Sequence, residues 1–125
     1  MKSIEQNYAK TALNPIKVKS IQDAVAFLNS LVTDDGKPFL YHRIHTTSVG
    51  RSKPIDCYEI LKAGGEKENL FIDIYNGESF YEIPNGYVQK AEMLVPIVYG
   101  KKLIMQSMGV NYRLNNFPED LLISL

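Results

Sequence analysis

The chain has 125 residues, of which 45% are hydrophobic and 22% are charged. This composition is typical of one folded domain and leaves little room for a second. Fourteen basic and fourteen acidic side chains cancel, which argues against the positive field of a protein that wraps duplex nucleic acid. No apolar run approaches the roughly 18 residues of a membrane span. We therefore expect neither a nucleic acid nor a membrane as partner.

The first 19 residues are polar and contain Asn14-Pro15, a boundary signal. We predict an N-terminal arm, residues 1–19, followed by a single domain, residues 20–125. The domain begins with Ser20, a residue type that caps the free amides of a first helical turn. Apolar residues then recur at helical spacing from Ile21 to Val32, and Asp34-Asp35-Gly36 ends the pattern. This predicts an amphipathic helix of about three turns.

The hydrophobic period then changes to two. Phe39 to Thr47 and Ile55 to Lys62 are rich in aromatic and β-branched residues, which predicts an antiparallel pair of strands. Further along, Asn76-Gly77 separates Leu70 to Tyr75 from Glu78 to Ile83. Both positions of a type I′ turn need a positive φ, so this dipeptide predicts a second hairpin.

The C-terminal third is less regular. Tyr87 to Val95 fits either a short helix or a strand, and we favour the helix because Pro96 would stop it. Gly100-Lys101 between two short apolar runs predicts a turn, and residues 116–125 predict a last short helix. The predicted fold class is α+β: an N-terminal amphipathic helix packed on an antiparallel meander of about four to six strands, with a short C-terminal helix.

A candidate site follows from the register of the first hairpin. If Thr46 lies opposite Ile55, His42 lies opposite Glu59, and the register assumed for the next strand brings Asp73 beside Glu59. His42, Glu59 and Asp73 would then form a polar row among apolar neighbours, where pKa values shift and general acid and base roles arise. The alternative is that these side chains are solvated on the open face of a sheet.

The two histidines do not predict a metal site. His42 and His45 are three residues apart, so on a regular strand they point to opposite faces. The same register places His45 opposite Asp56. We expect no metal ion at this strand, because a closed metal site needs several convergent ligands.

The sheet face that carries the polar row is also predicted to carry Phe71, Tyr75, Phe80 and Cys57. Aromatic side chains there need a cover from the C-terminal segment, a ligand or another subunit. Cys57 is the single cysteine, so it forms no internal disulfide, and a buried apolar role fits it better than a nucleophilic one. A lone cysteine and the absence of an apolar leader within residues 1–12 favour the cytoplasm.

The loop from Gly50 to Lys53 carries two cations, Arg51 and Lys53, and is a candidate for holding a phosphate or carboxylate. Neither phosphate-binding glycine motif occurs, so no nucleotide or other cofactor is expected.

Two functions of different classes remain. The first is an interaction or ligand-binding domain that uses the aromatic face with a protein partner, a second copy of itself or a small molecule. The alternative is a small hydrolase, lyase or isomerase that uses the His and carboxylate cluster.

Overall fold

The computed structural model describes residues 7–47, 54–75, 82–89, 97–99, 102–104 and 109–121. Within these ranges the chain is mostly sheet, with one α-helix. The elements in chain order are β1 (Ile16–Lys17), α1 (Ile21–Asn29), β2 (Leu31–Thr33), β3 (Phe39–Thr47), β4 (Ile55–Lys62), β5 (Lys67–Asp73), β6 (Tyr87–Gln89), β7 (Ile97–Tyr99), β8 (Lys102–Ile104), β9 (Gly109–Val110) and a 3-10 helix (Glu119–Leu121).

The main sheet has five strands in the order β1-β5-β4-β3-β9. Its centre is antiparallel, because β4 pairs in that sense with both β3 and β5. Its two edges are parallel, since β1 runs parallel to β5 and β9 runs parallel to β3. Two antiparallel pairs lie outside this sheet, β2 with β6 and β7 with β8.

The predicted α+β fold, a helix packed on an antiparallel meander, is therefore wrong. The meander exists only for β3, β4 and β5, and the sheet as a whole is mixed because segments from both ends of the chain pair along its edges. Each of these edge strands is two residues long. Strands of that length show no hydrophobic period, so sequence patterning does not detect them.

The start of α1 is confirmed. The Ser20 hydroxyl accepts a hydrogen bond of 3.1 Å from the Asp23 amide, as an N-cap does. The helix ends at Asn29, however, and the prediction that it runs to Val32 is wrong, because Val32 lies in β2 opposite Val88 of β6. The helical pattern continued by chance into a strand whose partner lies more than 50 residues further along the chain.

The helix predicted for Tyr87 to Val95 is also wrong where the structure describes it, because Tyr87–Gln89 is strand β6. Residues 90–96 lie outside the described ranges. The short C-terminal helix is a 3-10 turn, Glu119–Leu121, and residues 122–125 lie outside the description. The predicted Asn76-Gly77 turn falls on undescribed residues as well. The strands around Gly100-Lys101 pair antiparallel, with Tyr99 opposite Lys102.

Residues of α1 and of the main sheet form one hydrophobic core cluster, which includes Leu40 and Leu61 on one sheet face and Tyr41 on the other. The face that carries Tyr41 contacts α1. Tyr41, Tyr58 and Leu70 are fully buried on this face, which we call the helix face, and the Tyr41 hydroxyl donates a 2.8 Å hydrogen bond to Asn29 of α1. Phe27 and Leu28 of the helix belong to the same core cluster. The opposite face, which we call the His42 face, carries the candidate site.

Residues before Ser20 contribute to this core. Ala9, Ile16 and Val18 are fully buried, and the Ala9 carbonyl accepts a 2.8 Å hydrogen bond from the Phe71 amide of β5. The division into an arm, residues 1–19, and a domain, residues 20–125, stays a prediction.

Candidate functional site

His42 and Glu59 face each other across β3 and β4, as predicted. The pairing of Thr46 with Ile55 from which this register was assumed is wrong, because Thr46 lies opposite Asp56. The His42 Nε2 atom lies 2.9 Å from Glu59 Oε1. The His42 ring is almost entirely buried, whereas a quarter of the Glu59 side chain, 26%, is exposed. The pair therefore has a buried imidazole and a carboxylate that reaches solvent.

The second ring nitrogen of His42 is also occupied. The amide of Leu114 donates a 3.0 Å hydrogen bond to His42 Nδ1. A backbone amide can only donate and a carboxylate can only accept, so Nδ1 carries the lone pair and Nε2 carries the proton. This arrangement holds a neutral imidazole in one tautomer and directs its proton at Glu59.

Phe117 covers the flat side of the imidazole. The two ring centroids are 4.0 Å apart and the planes are inclined by 11°, so the rings stack. Val110 of β9 also pairs with His42 along the edge of β3. Leu114, Phe117 and Val110 all belong to residues 109–117, which we call the C-terminal segment. This segment therefore contacts His42 from three directions.

A pocket of about 360 Å³ opens beside this arrangement. Its lining combines both histidines and Glu59 with the C-terminal segment: His42, Ile44, His45, Glu59, Arg113, Leu114, Asn115 and Phe117. The Glu59 carboxylate and the Arg113 guanidinium give the same pocket a negative and a positive group.

His45 lies in this pocket because β3 contains a bulge. Arg43 pairs with Tyr58 but His45 pairs with Cys57, so Ile44 is an extra residue and the alternation of faces shifts by one. The prediction that His42 and His45 point to opposite faces is therefore wrong, as is the pairing of His45 with Asp56. In the described part of the chain, no three His, Cys, Asp or Glu side chains are placed to hold a metal ion.

Asp56 lies on the helix face instead. Its Oδ1 accepts a 3.1 Å hydrogen bond from the Thr46 hydroxyl, and its Oδ2 is 3.5 Å from an Arg43 nitrogen. Asp56 is 3% exposed, so this is a buried ion pair within the hairpin.

Asp73 is not part of the polar row. Glu59 pairs with Asn69 of β5, and Asp73 lies further along that strand, about 13 Å away at the usual rise per residue. Its side chain accepts a 2.9 Å hydrogen bond from the Tyr75 amide, and its carbonyl accepts one from Val18. The assumed register of β5 differs from the observed one by four residues. The sequence between β4 and β5 does not indicate how long the loop is, so the register could not be derived from it.

Cys57 is fully buried on the His42 face, opposite Phe71. Burial, with a smaller contribution from the negative charge of Glu59, raises the pKa of its thiol to about 11. The thiol is therefore protonated at neutral pH, which argues against a nucleophilic role.

Of the other predicted face residues, Phe71 lies opposite Cys57 on the neighbouring strand. Phe71 is half-buried and Tyr75 is 49% exposed. Phe80 and the two predicted anion-binding cations, Arg51 and Lys53, lie outside the described residues.

The C-terminal segment is one of the three covers that the sequence predicts for this sheet face, but the sequence identifies none of its residues as part of the site. Arg113, Leu114 and Phe117 reach the pocket because β9 adds in parallel to the edge of β3, and no local signal predicts that pairing. A second indication is that a buried histidine needs partners for both ring nitrogens.

No known protein family, curated protein or solved structure matches this chain. No helix in the described ranges has both the length and the apolar character needed to cross a membrane.

Proposed function

We propose that the protein is a ligand-binding domain whose pocket on the His42 face takes a small molecule with two features, an anionic group and a hydroxyl or amino group that donates hydrogen bonds. The observation that carries the proposal is the position of Glu59, a part-exposed carboxylate oriented by a buried neutral imidazole at the wall of a pocket of about 360 Å³. Pockets for small ligands typically measure about 300 to 1,000 Å³.

The chemistry of the lining supports this class of ligand. His42 uses one oxygen of Glu59, Oε1, and the carboxylate has further lone pairs for a donor group of the ligand. Arg113 and His45 are exposed at the same pocket and provide donors for an anion. Ile44 and Leu114 supply apolar contact between these polar groups.

Saturation-transfer NMR with amino acids, hydroxy acids and phosphate monoesters tests the proposal. We expect members of this panel to bind, and we expect Glu59→Gln and Arg113→Gln each to weaken the bound probe about tenfold, the effect of one lost charge-assisted hydrogen bond. Lys19→Gln is the matched control, because Lys19 is exposed and outside the pocket. Absence of binding by all three classes at millimolar concentration, or equal weakening by the control, contradicts the proposal.

A hydrolase, lyase or isomerase activity is the second candidate. The hydrogen bond between His42 Nε2 and Glu59 favours it, since an imidazole that donates to a carboxylate orients it as a general base. The predicted enzyme site had two carboxylates, Glu59 and Asp73. Because Asp73 lies away from His42, only Glu59 is left for this activity. Turnover of an ester, phosphoester or glycoside substrate that Glu59→Gln abolishes would favour the enzyme over the binding domain.

We also propose that the domain associates with a second copy or another protein, and that it functions in the cytoplasm. The single cysteine is a free thiol, which fits a reducing compartment. Light scattering after size exclusion measures the association, and a strictly monomeric mass across the concentration range would exclude the second copy.

A further inference from the structure

The contacts of the C-terminal segment converge on one side chain. Val110 pairs with His42 along the backbone, the Leu114 amide donates to the His42 ring, and Phe117 stacks on that ring. The same segment contributes Arg113, Leu114, Asn115 and Phe117 to the pocket. The pocket is therefore complete only when the segment is in contact with His42.

The contact with Leu114 is compatible with only one protonation state of Nδ1. In the structure, the amide N–H points at the lone pair of this nitrogen at 3.0 Å. Addition of a proton to Nδ1 would turn two donors toward each other, and the hydrogen bond would be lost. Water cannot replace the lost hydrogen bond while the segment is in place, because His42 is 3% exposed.

The charged and titratable groups around His42 act in opposite directions. Glu59 on β4 lies 2.9 Å from Nε2 and favours a charged ring. Arg113 on the C-terminal segment and His45 on β3, when protonated, oppose it. Moving the segment away would remove both the Leu114 donor that faces Nδ1 and the Arg113 charge, so only the open form can hold a proton on Nδ1 without two donors facing each other.

We propose that His42 is a pH-sensitive contact that closes the pocket with the C-terminal segment when its ring is neutral and releases the segment when Nδ1 takes up a proton. Its consequence for ligands rests on the proposed binding function. Because the open form lacks Arg113 and Leu114 at the pocket wall, a bound anion would be released on acidification.

Hydrogen exchange of the Leu114 amide, followed by NMR, tests the contact in the complete protein without a ligand. We expect the opening equilibrium, corrected for intrinsic exchange, to increase about tenfold between about pH 8 and about pH 5.5, the range in which imidazoles titrate. His42→Asn retains an acceptor close to the position of Nδ1 but cannot take up a proton there, so its opening equilibrium should not change with pH. The chain has two histidines. In His45→Asn the contact between His42 and Leu114 is unchanged, so the opening equilibrium should still depend on pH, which assigns the dependence to His42.

Two results would overturn the proposal. One is a pH-independent opening equilibrium in the wild type, and the other is the same pH dependence in His42→Asn. If His42→Asn does not fold, the wild type alone decides: the ring nitrogen shifts of His42 and the Leu114 exchange must change over the same pH range, and a titration of the ring without a change at Leu114 contradicts the contact. Binding of a probe that is equal at both pH values, with pH-dependent opening, would reject the ligand site and leave the contact intact.

Discussion

Glu59 and Glu68 occupy neighbouring strands of the same sheet with nearly equal exposure, 26% and 24% of their side chains, but they differ in the number of groups that bind them. Glu68 accepts a hydrogen bond of 2.7 Å from Lys10 and another from the Tyr87 hydroxyl, and Lys62 lies 3.3 Å away. Glu59 has one hydrogen-bond partner in the described structure, the neutral ring of His42.

The partners of Glu68 come from separate parts of the chain. Lys10 precedes β1, Lys62 ends β4 and Tyr87 begins β6. Both lysine nitrogens also lie over the Tyr87 ring, 5.3 and 5.5 Å from its centroid, and Phe39 packs edge-on against that ring at 5.5 Å. Glu68 therefore connects the N-terminal residues and the β2–β6 pair to the main sheet.

The contacts of Glu68 also change pKa values. Burial alone would raise the pKa of the Glu68 carboxyl, but hydrogen bonds from Lys10 and Tyr87 and the charges of both lysines hold it below its usual range. Burial and the adjacent Glu68 carboxylate raise the pKa of Tyr87. Equal exposure with unequal partners indicates that Glu68 has a structural role, whereas Glu59 retains the capacity to bind something else.

The largest expected effect is that of Glu68→Gln. The substitution removes the charge that both lysines face and leaves a single oxygen to accept hydrogen bonds, so we expect the free energy of unfolding to fall by about 2 kcal/mol. Urea denaturation measures it. Glu66→Gln is the matched control, because Glu66 is exposed in the loop between β4 and β5. A loss below about 0.5 kcal/mol, or the same loss in the control, would remove the structural role.

The stability that Glu68 contributes should depend on pH. Because its folded pKa is below the unfolded value, the contribution is fully present above the unfolded pKa of about 4.3 and is lost as the pH falls through the folded value. The stability difference between wild type and Glu68→Gln should therefore be largest near about pH 7 and smaller near about pH 3. A difference that grows on acidification would show that the carboxyl is protonated in the folded state.

Lys10→Gln should have an intermediate effect. The Lys10 side chain is 22% exposed, and Glu68 keeps its contacts with Lys62 and Tyr87 after the change. We expect a loss of about 1 kcal/mol in unfolding free energy. Lys19→Gln, exposed in the same N-terminal region, should change it by less than about 0.5 kcal/mol. Equal losses for the two variants would mean that the ion pair does not hold the N-terminal residues in place.

The sequence predicts the central hairpin and half of the site. Ser20 caps α1, and the strands β3 and β4 are where the alternation predicts them. The register that places His42 opposite Glu59 was assumed, and the pairing of Thr46 with Ile55 from which it started is wrong. The cap joins residues three apart and the two strands are consecutive along the chain, and residue patterns carry a direct signal for such elements.

The rest of the site depends on long-range geometry. The bulge at Ile44 shifts one strand by a single residue and brings His45 to the His42 face, and the order of strands beside β3 decides that Leu114 meets His42. Neither leaves a periodic trace in the sequence. The misplaced Asp73 has the same cause, since the register of β5 depends on a loop whose length had to be assumed.

Glu59→Gln should have the smallest effect on stability, about 0.5 kcal/mol, because the amide oxygen still accepts the proton of His42 Nε2. Among the described residues, Glu59 forms no ion pair with a lysine or an arginine. Urea denaturation under the conditions used for Glu68→Gln provides the comparison at equal exposure. If both substitutions cost the same, the number of partners would not explain the difference between the two glutamates. If Glu59→Gln leaves the fold intact and weakens a bound probe about tenfold, Glu59 contributes to binding and little to stability.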